Sequence, residues 1–151
     1  MAKILACIDG SVYSESVADH AAWAAARLQA SVEVLHAIGR RGMASAPVDL
    51  SGNLDIGERE ALLSELADLD AVKAKLAQKR GRLILAEAAQ RVRNQGVETV
   101  SELLRHGDVV DTLKDFEPGA DLIVIGKRGE AADFAKLHLG SNLERVLRGS
   151  T

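Results

Sequence analysis

Aromatic side chains are scarce: one Trp, one Tyr and two Phe in 151 residues, 3% of the chain. Proteins that grip single-stranded nucleic acid lean on stacked rings, so that mode of binding has little to work with. A surplus of positive charge is missing too. Lys and Arg total 19 against 22 Asp and Glu, a net charge of −3, and the pI is about 5.8. No broad basic face for a duplex is expected. The run Lys79-Arg80-Gly81-Arg82, with Lys73 and Lys75 near acids, reads as a solvated helix face. The single cysteine, Cys7, cannot form an internal disulfide, which points to the reducing cytoplasm. It lies in an apolar run and reads as a small buried residue, with a redox thiol as the alternative. No apolar run approaches the ~20 residues of a membrane span. The chain opens Met-Ala-Lys and enters an apolar run at once, so no signal peptide is expected.

What is present is ordinary for a globular protein of one domain, 47% apolar and 27% charged. The most informative stretch is Asp121-Leu-Ile-Val-Ile125, followed by Gly126-Lys-Arg-Gly129 and later by Gly140-Ser141. The short β-branched run predicts a fully buried strand. Beyond it lie two glycines, two cations (Lys127 and Arg128) and a Gly-Ser at an expected helix start. Glycines allow close backbone approach, and a helix N-terminus offers free N–H groups with partial positive charge. Ser141 would add an N-cap hydroxyl. These are the parts of an anion cradle; a tight turn needing positive φ is the plainer alternative.

Elsewhere, strands are expected at Ile4 to Ile8, Val32 to Ala37 and Val97 to Leu104. A helix is expected from an N-cap at Ser14, with Val17, Ala21, Ala24, Ala25 and Leu28 on one face. Gly39 to Gly57 reads as an irregular connection. Glu58 to Gln95 predicts one long helix or two in succession, with Leu62, Leu69, Leu76 and Leu83 spaced by seven. A coiled-coil partner face is one reading of that spacing. A helix laid over the sheet, its extra turns capping an open edge, is the favoured one, since Lys79 falls at a d position. Asp108 to Phe116 predicts a short helix ended by Glu117-Pro-Gly119, and Ser141 to Leu147 the last. Alternating strands and helices imply an α/β fold: a single doubly wound, Rossmann-like, mostly parallel sheet of four to five strands with helices on both faces. Asp9, Ala37, Gly107 and Gly126 should converge at one mouth beyond the strand ends.

At this point the chain resembles the universal stress proteins. That family carries Gly, two residues, Gly, nine residues, then Gly-Ser or Gly-Thr after its fourth strand. Here Gly126, Gly129, Gly140 and Ser141 match, with ten residues in the longer gap. Lys3-Ile-Leu-Ala-Cys-Ile-Asp9-Gly-Ser11 looks like the family's first strand, Val32-Glu-Val-Leu-His36-Ala37 its second, and Arg105-His-Gly-Asp108 the turn after its third. The resemblance implies ATP, ADP or AMP, with Mg, at Cys7, Ile8, Asp9, Ser11, Ala37, Gly126, Lys127, Arg128, Gly129, Glu130, Gly140, Ser141 and Asn142. Cys7, Ile8 and Ala37 would contribute mainly backbone. Asp9 would meet a ribose hydroxyl or a phosphate-bound cation, the alternative being an N-terminal cap. The family's fifth strand, which often pairs with a second subunit, is missing before Thr151. A homodimer or a second universal-stress domain is therefore expected, and residues 1–151 look most like the first half of a tandem protein.

Competing chemistry finds less support. There is no Gly-x-Gly-x-x-Gly after the first strand and no Walker-type loop. His36 and His106 could approach the mouth with Asp9 or Asp108, but no His pair has metal-ligand spacing. His20 and His138 read as helix-surface residues. No base is placed for Ser11 or Ser141. The expectation is an ATP-binding regulator in stress response, with a nucleotide-free interaction domain as the alternative and a slow ATPase last.

Overall fold

Strand and helix alternate along the chain, and most boundaries have a local cause. The computed structural model describes residues 1–39, 55–127, 129 and 141–150, with the backbone alone at Ser141. β1 (Lys3–Cys7) and β2 (Ser31–Ile38) are apolar runs joined by α1 (Tyr13–Leu28). Residues Val17, Ala18, Ala21, Ala22, Ala24 and Ala25 form the buried face of α1, small enough to bring the helix close to the sheet. Leu28, expected on that face, is exposed. The helix also starts earlier than its N-cap expectation. Val12 is the N-cap without a side-chain bond, because Ser14 Oγ is engaged in the turn that precedes it. At the other end Gln29 turns left-handed, φ 49°, and closes the helix.

The long middle segment is a single helix, α2 (Ile56–Asn94), capped by Asp55, whose carboxylate accepts from Glu58 N at 2.7 Å. Most of the expected irregular connection before it, residues 40–54, lies outside the described residues. Only the C-terminal part of α2 covers the sheet: its buried residues are Gly81, Leu85, Ala88, Ala89 and Val92. The helix is thus laid over the sheet by that part alone, and the leucine repeat is not the side that faces it. Leu69, Leu76 and Leu83 are 48%, 58% and 70% exposed. At 3.6 residues per turn the repeat sits roughly 150° around the helix from the sheet-facing residues. Arg91 pairs with Asp19 at 2.7 and 3.0 Å and fastens α2 to α1.

β3 (Val100–His106) begins later than expected, although Val97 is buried ahead of it. Asp108 caps α3 (Val109–Phe116), accepting from Val110 N at 2.9 Å and Asp111 N at 3.2 Å. A 3-10 turn, Glu117–Gly119, leads to β4 (Leu122–Ile125), and α4 (Ser141–Gly149) ends the described chain.

The four strands form one sheet in the order β3-β2-β1-β4, every pair parallel. Ile4, Ala6, Ile8, Val32, Val34 and Val124 pack with α1 and α2 on one face. Leu5, Cys7, Leu35, Ile123 and Ile125 pack with α3 and α4 on the other. Helices on both faces of a parallel sheet make this the doubly wound, Rossmann-like α/β fold that the alternation predicts. Among the described residues β4 pairs only with β1, so its outer edge is unpaired.

Candidate functional site

The chain builds β1, β2 and β3 outward in one direction, then returns to set β4 on the far side of β1. Loops leaving the carboxyl ends of β1 and β4 diverge at such a reversal, and ligands bind in the crevice between them. The expected mouth is therefore flanked by Asp9-Gly10-Ser11 on one side and Gly126 to Gly129 on the other.

The first loop is held by its own side chains. Asp9 Oδ1 accepts from Ser11 N at 2.9 Å and from Ser14 Oγ at 3.4 Å. Ser14 Oγ in turn accepts from Gly10 N at 3.0 Å and Asp9 N at 3.3 Å. Gly10 has φ 81°, and a Cβ there would meet Ile84 Cδ1 at 2.7 Å. Only glycine fits that turn comfortably. The alternative reading of Asp9 as a helix cap fails, since its bond to Ser11 N closes a local turn ahead of α1. Asp9 Oδ2 looks across the mouth. A Cβ built on Gly129 would stand 2.9 Å from it, closer than real Cβ contacts come. Glycine at 129 thus lets the two loops meet, although they are far apart in sequence.

The other candidates divide. Cys7 ends β1, buried among Leu5, Leu35 and Val146, and burial pushes its thiol pKa up to about 12. Its side chain belongs to the core. Ile8 N donates to Leu35 O at 2.9 Å, and Ile8 O accepts from His36 Nδ1 at 2.8 Å. The Ile8 carbonyl keeps one lone pair for a ligand. Ala37 is half-buried inside β2 and in register with Arg105. Ser11 Oγ accepts from Tyr13 N at 3.3 Å. Gly126 is half-buried just past β4, Lys127 is exposed, and Asn142 is exposed in the first turn of α4. Ser141 is the first helical residue of α4. Arg128, Glu130 and Gly140 lie outside the described residues, as does His138.

Side chains outside the expected ligand set hold this mouth in shape, and of these Arg145 was not anticipated from the sequence. Arg145 of α4 grips Asp108 through two bonds, at 3.0 and 3.3 Å, and so ties α4 to the cap of α3. The Arg145 guanidinium, aided by the N–H groups of Asp111 and Val110, holds the Asp108 carboxyl below the usual carboxylate range. No local pattern could reveal a pair separated by so much chain. His36 is buried, on the α2 side of the sheet, and its bond to Ile8 O braces the end of β1. His20 lies on the surface of α1, its Nδ1 2.7 Å from Ser16 O. Among the described residues no three His, Cys, Asp or Glu side chains are placed to hold a metal ion, and no helix is long and apolar enough to cross a membrane.

Comparison with known proteins agrees with this architecture. The profile of the Universal stress protein family matches residues 1–151. A universal stress protein of Synechocystis is 40% identical over 149 residues, 98% of this chain and 52% of that protein. The chain thus spans about half the length of that curated relative. Among solved structures, a universal stress protein in complex with cAMP shares the fold at 24% identity and a TM-score of 0.63, covering 99% of this chain and 90% of that one. One from Archaeoglobus fulgidus in complex with dAMP does so at 23% identity and a TM-score of 0.55, covering 100% of this chain and 92% of that one. With its profile matched from end to end and a 40% identical relative, this chain belongs to the Universal stress protein family.

Proposed function

We propose that this domain binds ATP or a related adenine nucleotide, with Mg, in the mouth between β1 and β4, and that occupancy biases its association or choice of partner in stress response. The observation that carries this reading is the approach of Gly129 to Asp9 Oδ2 at the point where strand order reverses. A bare glycine backbone faces a carboxylate there, and the first turn of α4 follows in the chain. Gly126 and Gly129 would let the backbone come close to phosphate oxygens, while Ser141 and Asn142 would offer donors at a helix start. Lys127 and Arg128 supply positive charge. Asp9 would receive a ribose hydroxyl or the cation that accompanies the phosphates, and that cation would offset charge between carboxylate and phosphate. Relatives solved with cAMP and dAMP add support for an adenine nucleotide as the ligand class.

The test is calorimetric titration with ATP, ADP, AMP and cAMP, each with and without Mg, alongside mass spectrometry of nucleotide extracted from the purified protein. Saturable ATP binding at one site per chain is expected. If no adenine nucleotide binds with Mg present, the reading is wrong.

A second reading is favoured by one observation, the ten residues between Gly129 and Gly140 where the family pattern has nine. The lengthened gap would then close the pocket and leave a nucleotide-free interaction domain. Slow ATP hydrolysis ranks below both, because Ser11 Oγ bonds the backbone of Tyr13 and no base stands beside it among the described residues.

A further inference from the structure

At 1.5 Å per residue α2 is about 58 Å long, far longer than the sheet strands it accompanies. Sheet burial begins at Gly81. The preceding 56–80 stretch runs on past the sheet-facing residues; it is half-buried along Leu66, Ala74 and Ala77, and on its other side it carries Leu69, Val72 and Leu76 at 48%, 54% and 58% exposure. Helices in proteins draw most of their stability from packing an apolar stripe, and this stripe is exposed. Its charges add a second, independent observation. From Ile56 to Ala71 there are five acids (Glu58, Glu60, Glu65, Asp68 and Asp70) against Arg59 alone. From Val72 to Arg82 there are five bases (Lys73, Lys75, Lys79, Arg80 and Arg82) and no acid. Favourable placement in the helix dipole does not explain this division, since that effect fades within the first and last turns. The reversal falls close to the middle of the 56–80 stretch.

We infer that the exposed leucine side of this part of α2 is a self-association surface, pairing antiparallel with the same segment of a second copy of this chain. Antiparallel pairing about a two-fold axis near Val72 lays each acidic half against the partner's basic half, while a parallel pairing sets acid on acid and base on base. A two-fold contact uses the same patch on both copies, and this patch is self-complementary in charge. The repeat of leucines supplies the apolar seam, and the charges flanking it set orientation. Lys73 and Arg80 lie near the seam, a placement that weakens the pairing and restricts it to partners carrying matching acids. This inference does not depend on the nucleotide reading, and its test is run without nucleotide.

Sedimentation equilibrium of the full chain is expected to show a dimer that weakens as salt rises. Leu69→Glu with Leu76→Glu should raise the dissociation constant at least about a hundredfold, each leucine being worth tenfold or more. Both positions are exposed, so circular dichroism should show the fold retained. Lys73→Glu with Lys75→Glu should also dissociate the dimer, and adding Asp68→Lys with Asp70→Lys, the acids that face them in this register, should restore it. For orientation, Glu65→Cys and Lys79→Cys should cross-link when mixed and not when oxidised alone; the native thiol at Cys7 is buried. A monomer at the highest soluble concentration overturns the inference. So does a dimer indifferent to the leucine changes, or cross-linking of each cysteine variant to itself.

Discussion

At the scale of single residues the mouth depends on one absent side chain. A Cβ at position 129 would stand 2.9 Å from Asp9 Oδ2, so a branched side chain there must push the two loops apart. Gly129→Val is expected to weaken ATP binding by at least about tenfold, or about 1.4 kcal/mol, with thermal unfolding little changed because Gly129 itself is not part of the buried core. Calorimetry beside circular dichroism separates the two effects; unchanged affinity would remove position 129 from the site. Arg128 should be the more important of the two loop cations. Its planar fork can hold two phosphate oxygens, where Lys127 offers one point charge. Arg128→Ala should cost about 1.5–3 kcal/mol of binding, the worth of a charged hydrogen bond, and Lys127→Ala less. Equal affinities for Arg128→Ala and wild type would refute the order. Asp9, Gly126, Gly129 and Ser141 stood out in the sequence because each falls just past an apolar run or at a helix start. Ser14 was expected as a helix cap and His36 near the mouth, but the backbone groups they bond were not legible. Their work is to bond the backbone of a neighbouring turn or strand, and a serine or histidine doing that looks like any other in sequence.

At the scale of elements, α3 and α4 are joined through Asp108. The Arg145 guanidinium and two backbone N–H groups depress its folded pKa below the ordinary carboxylate value. A depressed carboxylate stabilises the fold above its unfolded pKa, near 3.9, and that contribution is lost as pH falls through the lower folded value. Asp108→Asn keeps a capping oxygen and loses the ion pair, so it should destabilise by only a few tenths of a kcal/mol near pH 7. Asp108→Ala also loses the cap and should cost about 1 kcal/mol. Both differences should shrink below about pH 4, as read by denaturant midpoints at several pH values. A difference that grows on acidification would show that the pair does not stabilise the fold. Element types were legible from periodicity, but edges were not. Val97 is buried by the core before the ladder begins, so its apolarity drew the expected start of β3 three residues early. In α2 the side that meets the sheet was harder to read than the leucine repeat. Sheet contact is made by Gly81, Leu85, Ala88, Ala89 and Val92, mostly small residues that a hydrophobicity pattern discounts beside a run of leucines.

At the scale of the whole molecule, the described residues leave two features facing outward: the exposed leucine side of α2 and the edge of β4 that no described strand pairs. Leu122 is 38% exposed on that edge, and strand edges with free N–H and C=O groups invite another strand. We expect a second universal-stress domain or a second copy to cover it. β4 runs directly into Gly126, so association there and nucleotide binding in the mouth should be coupled, each favouring the other by the same factor. Sedimentation velocity of the Leu69→Glu/Leu76→Glu variant, with and without ATP, isolates this edge from the α2 contact. A variant that stays monomeric in both conditions, with the edge open, would count against the coupling. The sequence could not reveal which outward surface dominates, because exposure is decided by what the folded chain leaves uncovered.

Gly81 has one more consequence, a mechanical one. It sits where α2 leaves the sheet, and a Cβ there would meet Leu104 Cδ1 at 2.8 Å and His36 Cδ2 at 3.1 Å. The helix therefore rests on a fulcrum. His36, one of the three side chains under it, is bonded to the carbonyl of Ile8, immediately before Asp9. From Gly81 to Ile56 the arm is about 38 Å, so a tilt of about 5° at the fulcrum swings the far tip by about 3 Å. Displacements too small to notice at the mouth would be readable as motion at Ile56.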